Sequence, residues 1–392
     1  MNKIKLCDRY KCTQCMACVT TCPNAAITMV DDGEGFLIPQ INHKSCTECG
    51  ACMSVCHRIE PRIQYHTPLH TLACWTKNNE DRKKSSSGGA FSVLARMVLD
   101  MGGVVFGATM DRHLQVKHIC IDRVEDIYLL QGSKYVQSYL GETFKKVREY
   151  LSAGRKVLFT GTPCQVGGLL TFLRKKYDNL ITCDMVCHGV PSQRAFNAFC
   201  ERTHLSGTCD GVSFRFTEGW GFQLARELVS PTKDGDSNSN SVRRKPITPS
   251  KAWYMRAFNK SLMFNEACYA CAYTTPQRIS DFTMADYWGL GVMTPFDYST
   301  FRGVSMLLVN TEIAWSMIQG CANLFYEERT LDEAIEGNYN LSNCSTRPSG
   351  RDTFIEDMQR MNIGDLLRKY DIQASPRDYL RLLKQWINSK RV

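Results

Sequence analysis

The sequence lacks any run of apolar residues long enough to cross a bilayer. Only Val157 to Leu173 is free of charge over anything near that length, and its glycines, proline, threonines and glutamine suit a strand, loop and helix better. An apolar signal region is also missing, since Met1-Asn2-Lys3-Ile4 runs straight into a cysteine-rich segment. No helix-turn-helix, zinc-finger or single-strand-binding signature is present, so the net charge of +9 predicts no nucleic-acid partner. That charge fits an acidic electron-donor protein or merely a solvated basic surface. What is abundant is cysteine. Twenty in 392 residues would suggest disulfides in a secreted chain, but eight stand in a spacing that needs free thiolates, which predicts a reducing, cytoplasmic location. With 43% hydrophobic residues the chain can bury a substantial core, and its length predicts two or three domains.

Those eight cysteines form two C-x2-C-x2-C-x3-C runs: Cys12, Cys15, Cys18 and Cys22, then Cys46, Cys49, Cys52 and Cys56. Two-residue gaps wrap three thiolates around one side of a 4Fe-4S cube, and the fourth cysteine of each run closes the other run's cluster. The spacing therefore assigns Cys12, Cys15, Cys18 and Cys56 to one cluster, and Cys46, Cys49, Cys52 and Cys22 to a second. Cys56 is followed by His57 in place of the usual proline, which ligates nothing. Residues 1–65 are thus expected to form an α+β ferredoxin-like dicluster domain held together by its clusters, with an apolar strand at Phe36-Leu37-Ile38.

Pro61 and Pro68 bracket a linker, and Leu72 to Trp75 reads as the first strand of a larger domain. Lys83-Lys84-Ser85-Ser86-Ser87-Gly88-Gly89-Ala90 then runs into a helical pattern at Phe91, Leu94, Ala95, Val98 and Leu99. Serines and paired glycines opening a helix make either a phosphate cradle with two lysines nearby or a plain N-cap. Gln131 to Tyr135 offers a second Gly/Ser/Lys loop. A buried strand at Val157–Thr160, the loop Gly161-Thr162-Pro163-Cys164-Gln165, a helix over Val166–Arg174 and a strand over Leu180–Val186 predict an α/β domain, with Ser192 capping the next helix. Ligands in such sheets gather at the carboxyl ends of strands, where Cys164 and Cys187 fall. A lone pair, Cys268 and Cys271, gains weight because those two thiols complete a set of four. Val212–Phe216 and Phe222–Arg226 read as a hairpin around Gly219-Trp220-Gly221, Ser230–Ser250 as a polar loop, and Pro376–Val392 as a basic amphipathic helix. The helix is expected to pack on its own domain, with peripheral membrane contact as the other use of such a face.

The ordered motifs Ser86-Ser87-Gly88-Gly89-Ala90, Gly132 to Ser138, Gly161 to Gln165, Cys187-His188-Gly189-Val190-Pro191, Cys268-x2-Cys271 and Asp281 to Gly289 resemble those of the beta subunit of coenzyme F420 hydrogenase/dehydrogenase, from Lys3 to about Asn310. The resemblance implies an α/β flavin-binding catalytic domain that carries FAD beside iron-sulfur clusters. It implies a flavin pocket at Ser86, Ser87, Gly88 and Gly89, with Lys134 at a flavin phosphate or an anionic substrate. It makes Cys164, Cys187, Cys268 and Cys271 the ligands of a third 4Fe-4S cluster. The other cysteines, 7, 74, 120, 183, 200, 209, 321 and 344, are left as ordinary thiols. Thr217-Glu218 stands where many relatives have a lysine, which weakens any transfer of their substrate to this chain. The expected division is 1–65 for the dicluster domain, 66–155 and 156–345 for the two parts of the flavin domain, and 346–392 for a helical basic tail.

Clusters move single electrons and flavins two, so their union predicts an oxidoreductase taking electrons from a ferredoxin-like donor to a small-molecule acceptor. The acceptor is F420-like or, as in bacterial relatives tied to surface polysaccharides, sugar-linked. His188 is the candidate proton donor, with a structural role as the plainer reading, and Asp286 orients flavin or substrate or caps a turn. A non-catalytic electron-transfer subunit is the competing reading, and a homo-oligomer stays open.

Overall fold

A short hairpin builds the first module: β1 (Ile27–Asp31) pairs antiparallel with β2 (Leu37–Ile41), Ile27 facing Ile41. Its turn is held by the carboxylates of Asp31 and Asp32, which accept the amides of Gly33 (2.7 Å) and Glu34 (2.9 Å). The tip docks on the rest of the chain. A side chain at Gly35 would strike Arg194 at 2.3 Å, and Glu34 accepts both guanidinium nitrogens of the buried Arg351 at 2.7 and 2.6 Å. The computed structural model describes residues 4–215, 224–231 and 240–389.

The second module follows with β3 (His70–Thr76), β4 (Val104–Met110), β5 (Val116–Ile121), β6 (Val157–Thr160) and β7 (Leu180–Met185). Next come β8 (Gly211–Ser213), β9 (Ala225–Pro231) and β10 (Asn240–Pro246), then β11 (Phe282–Asp286), β12 (Ser305–Val309) and β13 (Leu324–Arg329). Eight of these make one sheet in the order β13-β3-β12-β11-β7-β6-β4-β5. Only its centre, β11-β7-β6-β4, is parallel; β5, β12, β3 and β13 join antiparallel. The expected α/β sheet is thus a mixed one. Parallel strands at the centre are covered on both faces, which explains why every residue of β6 is buried. Helices Ala90–Asp100 and Glu312–Ile318 pack an aliphatic core on one face; Thr143–Ser152 and Pro163–Leu173 pack another with Phe106 and Phe159.

Three expectations change. The polar stretch after Ser230 contains β10, paired antiparallel with β9 in a three-stranded sheet β10-β9-β8, so it is not simply a loop. Ladder pairing of Gly211 with Glu227 and Ser213 with Ala225 bears out the hairpin, whose Gly219-Trp220-Gly221 tip, like Thr217-Glu218, lies outside the described residues. The segment after 346 is no separate tail: Arg351, Phe354, Met358, Leu366 and Ile372 are buried, the apolar ones in one core with Phe196, Phe199 and Tyr254. The last helix, Pro376–Ser389, is present, but Tyr379, Leu380 and Leu383 are exposed instead of packed inward. Among the described residues no helix is long and apolar enough to cross a membrane.

Candidate functional site

The two cysteine runs fold alike. Gln14 and Glu48, one residue before the second cysteine of each run, have φ of 59° and 57°; Met16 and Gly50, one residue after it, have φ of 61° and 75°. Left-handed backbone at a residue other than glycine costs about 1–3 kcal/mol and persists where a ligand clamp needs it. Repeated reversals of this kind turn amides and side chains inward. One cavity is lined by Cys12, Cys15, Cys18 and Cys56, another by Cys22, Cys46, Cys49 and Cys52, so the fourth thiol of each run reaches the other run's cavity. Cys7 and Cys52 also line the first. Burial pushes the Cys12 thiol up to about 11 and Cys18 up to about 12, with neighbouring thiols adding to the shift. Such a set cannot ionise together without positive charge among them. Among the described residues, no three His, Cys, Asp or Glu side chains converge as they would on a single metal ion; the thiols stand around the cavities.

The first cavity faces the large module. Helix Pro163–Leu173 starts with Thr162 as N-cap in a capping box with Gln165. A Cβ at Gly168 of this helix would lie 2.8 Å from the Cys15 sulfur, and one at Gly167 would lie 2.3 Å from the Tyr273 hydroxyl. Only glycine admits so close an approach. The Thr171 hydroxyl reaches the Val55 carbonyl at 2.7 Å. His57, 3% exposed, is hydrogen-bonded through Nδ1 to the Tyr273 hydroxyl (2.6 Å) and through Nε2 to Thr13 Oγ1 (3.0 Å). Burial lowers its pKa to about 3, so the ring is neutral.

The same helix carries Cys164 in its first turn. Cys187 follows β7, and Cys268 and Cys271 lie in and just after the 3-10 turn Glu266–Ala270. These four thiols sit within electrostatic reach of one another. Burial first, then that crowding, pushes Cys164 up to about 11 and Cys187 up to about 12. Cys344, assigned no role from the sequence, lies against them with its thiol 3.5 Å from the Cys271 carbonyl. A buried ion pair stands beside the set: Arg278 donates to Asp184 (3.0 Å) and to the carbonyls of Tyr273 (2.9 Å) and Thr275 (3.1 Å).

Cys187 also lines a cavity of about 300 Å3 at the carboxyl ends of the central strands. Ser86, Ser87, Gly89, Lys134, His188 and Asp286 all face it. Helix Ala90–Asp100 opens there from Gly89 (φ 87°) with no side-chain cap, leaving amides directed at the space. The Ser86 hydroxyl accepts the Ser133 amide at 2.8 Å, which leaves its O–H free to donate, whereas the Ser87 hydroxyl donates to the Val304 carbonyl at 3.0 Å. Lys134 Nζ donates to the carbonyls of Gln131 (2.8 Å) and Leu130 (3.1 Å), and burial lowers its pKa to about 7. Gly88 does not line the cavity; a Cβ there would meet the Cys74 carbonyl at 2.2 Å, so its glycine serves packing against β3. Lys83 and Lys84 are exposed and do not line the cavity.

Asp286 is ion-paired with Arg215 at 2.7 Å, both side chains nearly buried, which makes it a fixed negative end of a pair and not a turn cap. Burial opposes the charge of Arg215, and Asp286 outweighs it, so the guanidinium pKa is raised. His188 opens to the cavity, its pKa lowered by burial against the pull of Asp286. The sequence reading missed His118 entirely. Its Nε2–H donates to the Thr160 carbonyl (3.0 Å), and its Nδ1 accepts from the Ser138 hydroxyl (2.9 Å), which itself accepts from Gln165 Nε2 (2.9 Å). A carbonyl only accepts, so the tautomer follows from the geometry. Burial lowers the His118 pKa to about 4. A lone histidine in a strand gives no local signal, whereas the paired glycines after Cys164 were a readable sign of close approach.

No curated protein matches the chain. A solved chain from the xenon-derivatised F420-reducing NiFe hydrogenase complex of Methanosarcina barkeri is 16% identical, over 76% of this chain and 95% of that one, with a TM-score of 0.46. A profile of the 4Fe-4S dicluster domain matches residues 11–58. Profiles of the coenzyme F420 hydrogenase/dehydrogenase beta subunit match in order, the N-terminal part at 71–145 and the C-terminal part at 154–333. The chain belongs to the coenzyme F420 hydrogenase/dehydrogenase beta-subunit family, with a 4Fe-4S dicluster domain at its N-terminal end.

Proposed function

We propose that this chain is an iron-sulfur flavoprotein oxidoreductase that receives single electrons at its dicluster module and delivers them in pairs to a small-molecule acceptor. In this reading the Cys22, Cys46, Cys49 and Cys52 cage is the entry, because Cys49 is exposed to a donor such as a ferredoxin, whereas Cys15 of the other cage lies against Gly168 of the large module. The Cys12, Cys15, Cys18 and Cys56 cage comes next, against the helix that begins near Cys164. The observation that carries the proposal is Cys187, which belongs to the third thiol set and also lines the large cavity.

Soft thiolate sets suit iron-sulfur clusters, and the cavity suits a flavin with its phosphates at the uncapped helix start. Bound there, the clusters would supply one-electron steps and FAD the two-electron step. Ser86, Gly89 and the first amides of helix Ala90–Asp100 would hold phosphate oxygens, and an anion beside Lys134 would favour its charged form. His188 and the Arg215–Asp286 pair face the remaining space, where they would orient the acceptor, F420-like or sugar-linked, and His188 would hold the exchangeable proton.

The test is iron, sulfide and flavin content of protein purified without oxygen. About twelve irons and one FAD per chain are expected, four irons for each of three clusters, and Cys164→Ala should lose about four. About eight irons and no flavin would sink the proposal in favour of an electron-transfer subunit that serves a separate enzyme. Reoxidation of the reduced protein by F420 or by a nucleotide sugar then identifies the acceptor.

A further inference from the structure

The first cage has a thiol that its counterpart lacks. Cys7 and Ile41 each stand five residues before the first cysteine of their run, and each lines the cavity of that run. The two runs repeat the same backbone turns, so these are equivalent positions in equivalent cages. In the second cage the position is filled by an inert aliphatic side chain. In the first it holds a thiol, Cys7, that lines the same cavity as Cys12 and Cys56.

Resting on the reading that this cage holds a 4Fe-4S cluster, we propose that Cys7 is a reserve ligand, placed to take over the iron that Cys56 holds. The exchange balances without an oxidant or reductant. Cys7 would give its thiol proton to the Cys56 sulfur as it replaced Cys56 in holding that iron, one iron–sulfur bond being made for the one broken. Cluster charge and oxidation state are unchanged. Cys56 is the ligand such a reserve would protect: it comes from the opposite run and sits at the edge of the linker to the large module, where movement between the modules would be felt first.

Cys56→Ala, purified anaerobically, is expected to keep the iron content of the native chain and a 4Fe-4S electron-paramagnetic resonance signal at the first cage. Cys7→Ala/Cys56→Ala should lose about four irons, as should Cys22→Ala in the cage that has no reserve. Equal loss from Cys56→Ala and the double variant overturns the proposal, as does a 3Fe-4S signal in Cys56→Ala. If Cys56→Ala does not accumulate as folded protein, Cys7→Ile, which copies the second cage, decides by the rate of iron release to a chelator. The first cluster should then bleach about tenfold faster than in the native chain, the lower end of what loss of a supporting group costs a metal site; an unchanged rate overturns it. A native chain without a cluster in the first cage would refute the dicluster reading as well, whereas native iron with equal losses in the two variants refutes only the role of Cys7.

Discussion

His118 is 8% exposed and neutral because burial outweighs the carbonyl of Thr160 that favours its charged form. Its pKa of about 4 in the folded chain lies below the ordinary value near 6.5 of an unfolded one. Between those values the unfolded state binds more protons, so the contribution to stability is whole above about pH 6.5 and is lost as pH falls toward 4, at most about 3 kcal/mol. His118→Gln should remove that dependence. In urea titrations from pH 7 to pH 4, the native midpoint is expected to fall more steeply than that of the variant; parallel curves would contradict the buried neutral ring. His118 was invisible in the sequence because nothing near it in the chain marks it. Its partners Thr160 and Ser138, and Gln165 that donates to Ser138, come from a strand, a loop and a helix that only the sheet brings together.

Helix Pro163–Leu173 joins the modules more than any other element. Its body was readable in the chain, but it starts at Pro163 and not at the expected Val166, because Thr162 and Gln165 form a capping box, and its glycines serve a contact that spans the sequence, with Cys15 on one side and Tyr273 on the other. Gly168→Val would place a Cβ 2.6 Å from that of Cys15. Overpacking of this kind costs about 1–3 kcal/mol, and here the cheapest relief is for the dicluster module to move away. Faster limited proteolysis between residues 58 and 70 is the expected result. An unchanged cleavage rate would mean that the contact is not part of the docking. The β9-β10 hairpin makes the opposite point: Arg226, Glu227, Arg243 and Arg244 make polar strands, and only ladder pairing, with Arg244 bound to Glu227 at 2.7 Å, distinguishes them from a loop.

At the scale of the molecule, the matched N- and C-terminal parts of the family are not separate folding units. β3 and β4 belong to the first part, yet β12, β11, β7 and β6 of the second lie between them in the sheet. A fragment of residues 66–155 has no continuous sheet and is expected to be unfolded by circular dichroism, gaining structure only when 156–392 is supplied; a folded fragment would contradict the interleaving. The sequence by itself determined the two cysteine runs, which thiols belong to which cage, and most of the central strands and their helices. Those depend on short spacings and on periodicity, which neighbouring residues set among themselves. Only the tertiary structure decided that the sheet is mixed, that Asp286 answers Arg215, that Gly88 packs while Gly89 opens a cavity, and that Cys7 stands at the first cage. Each of those turns on which distant segments share a low-dielectric space, and that is set by long-range packing that no local pattern records.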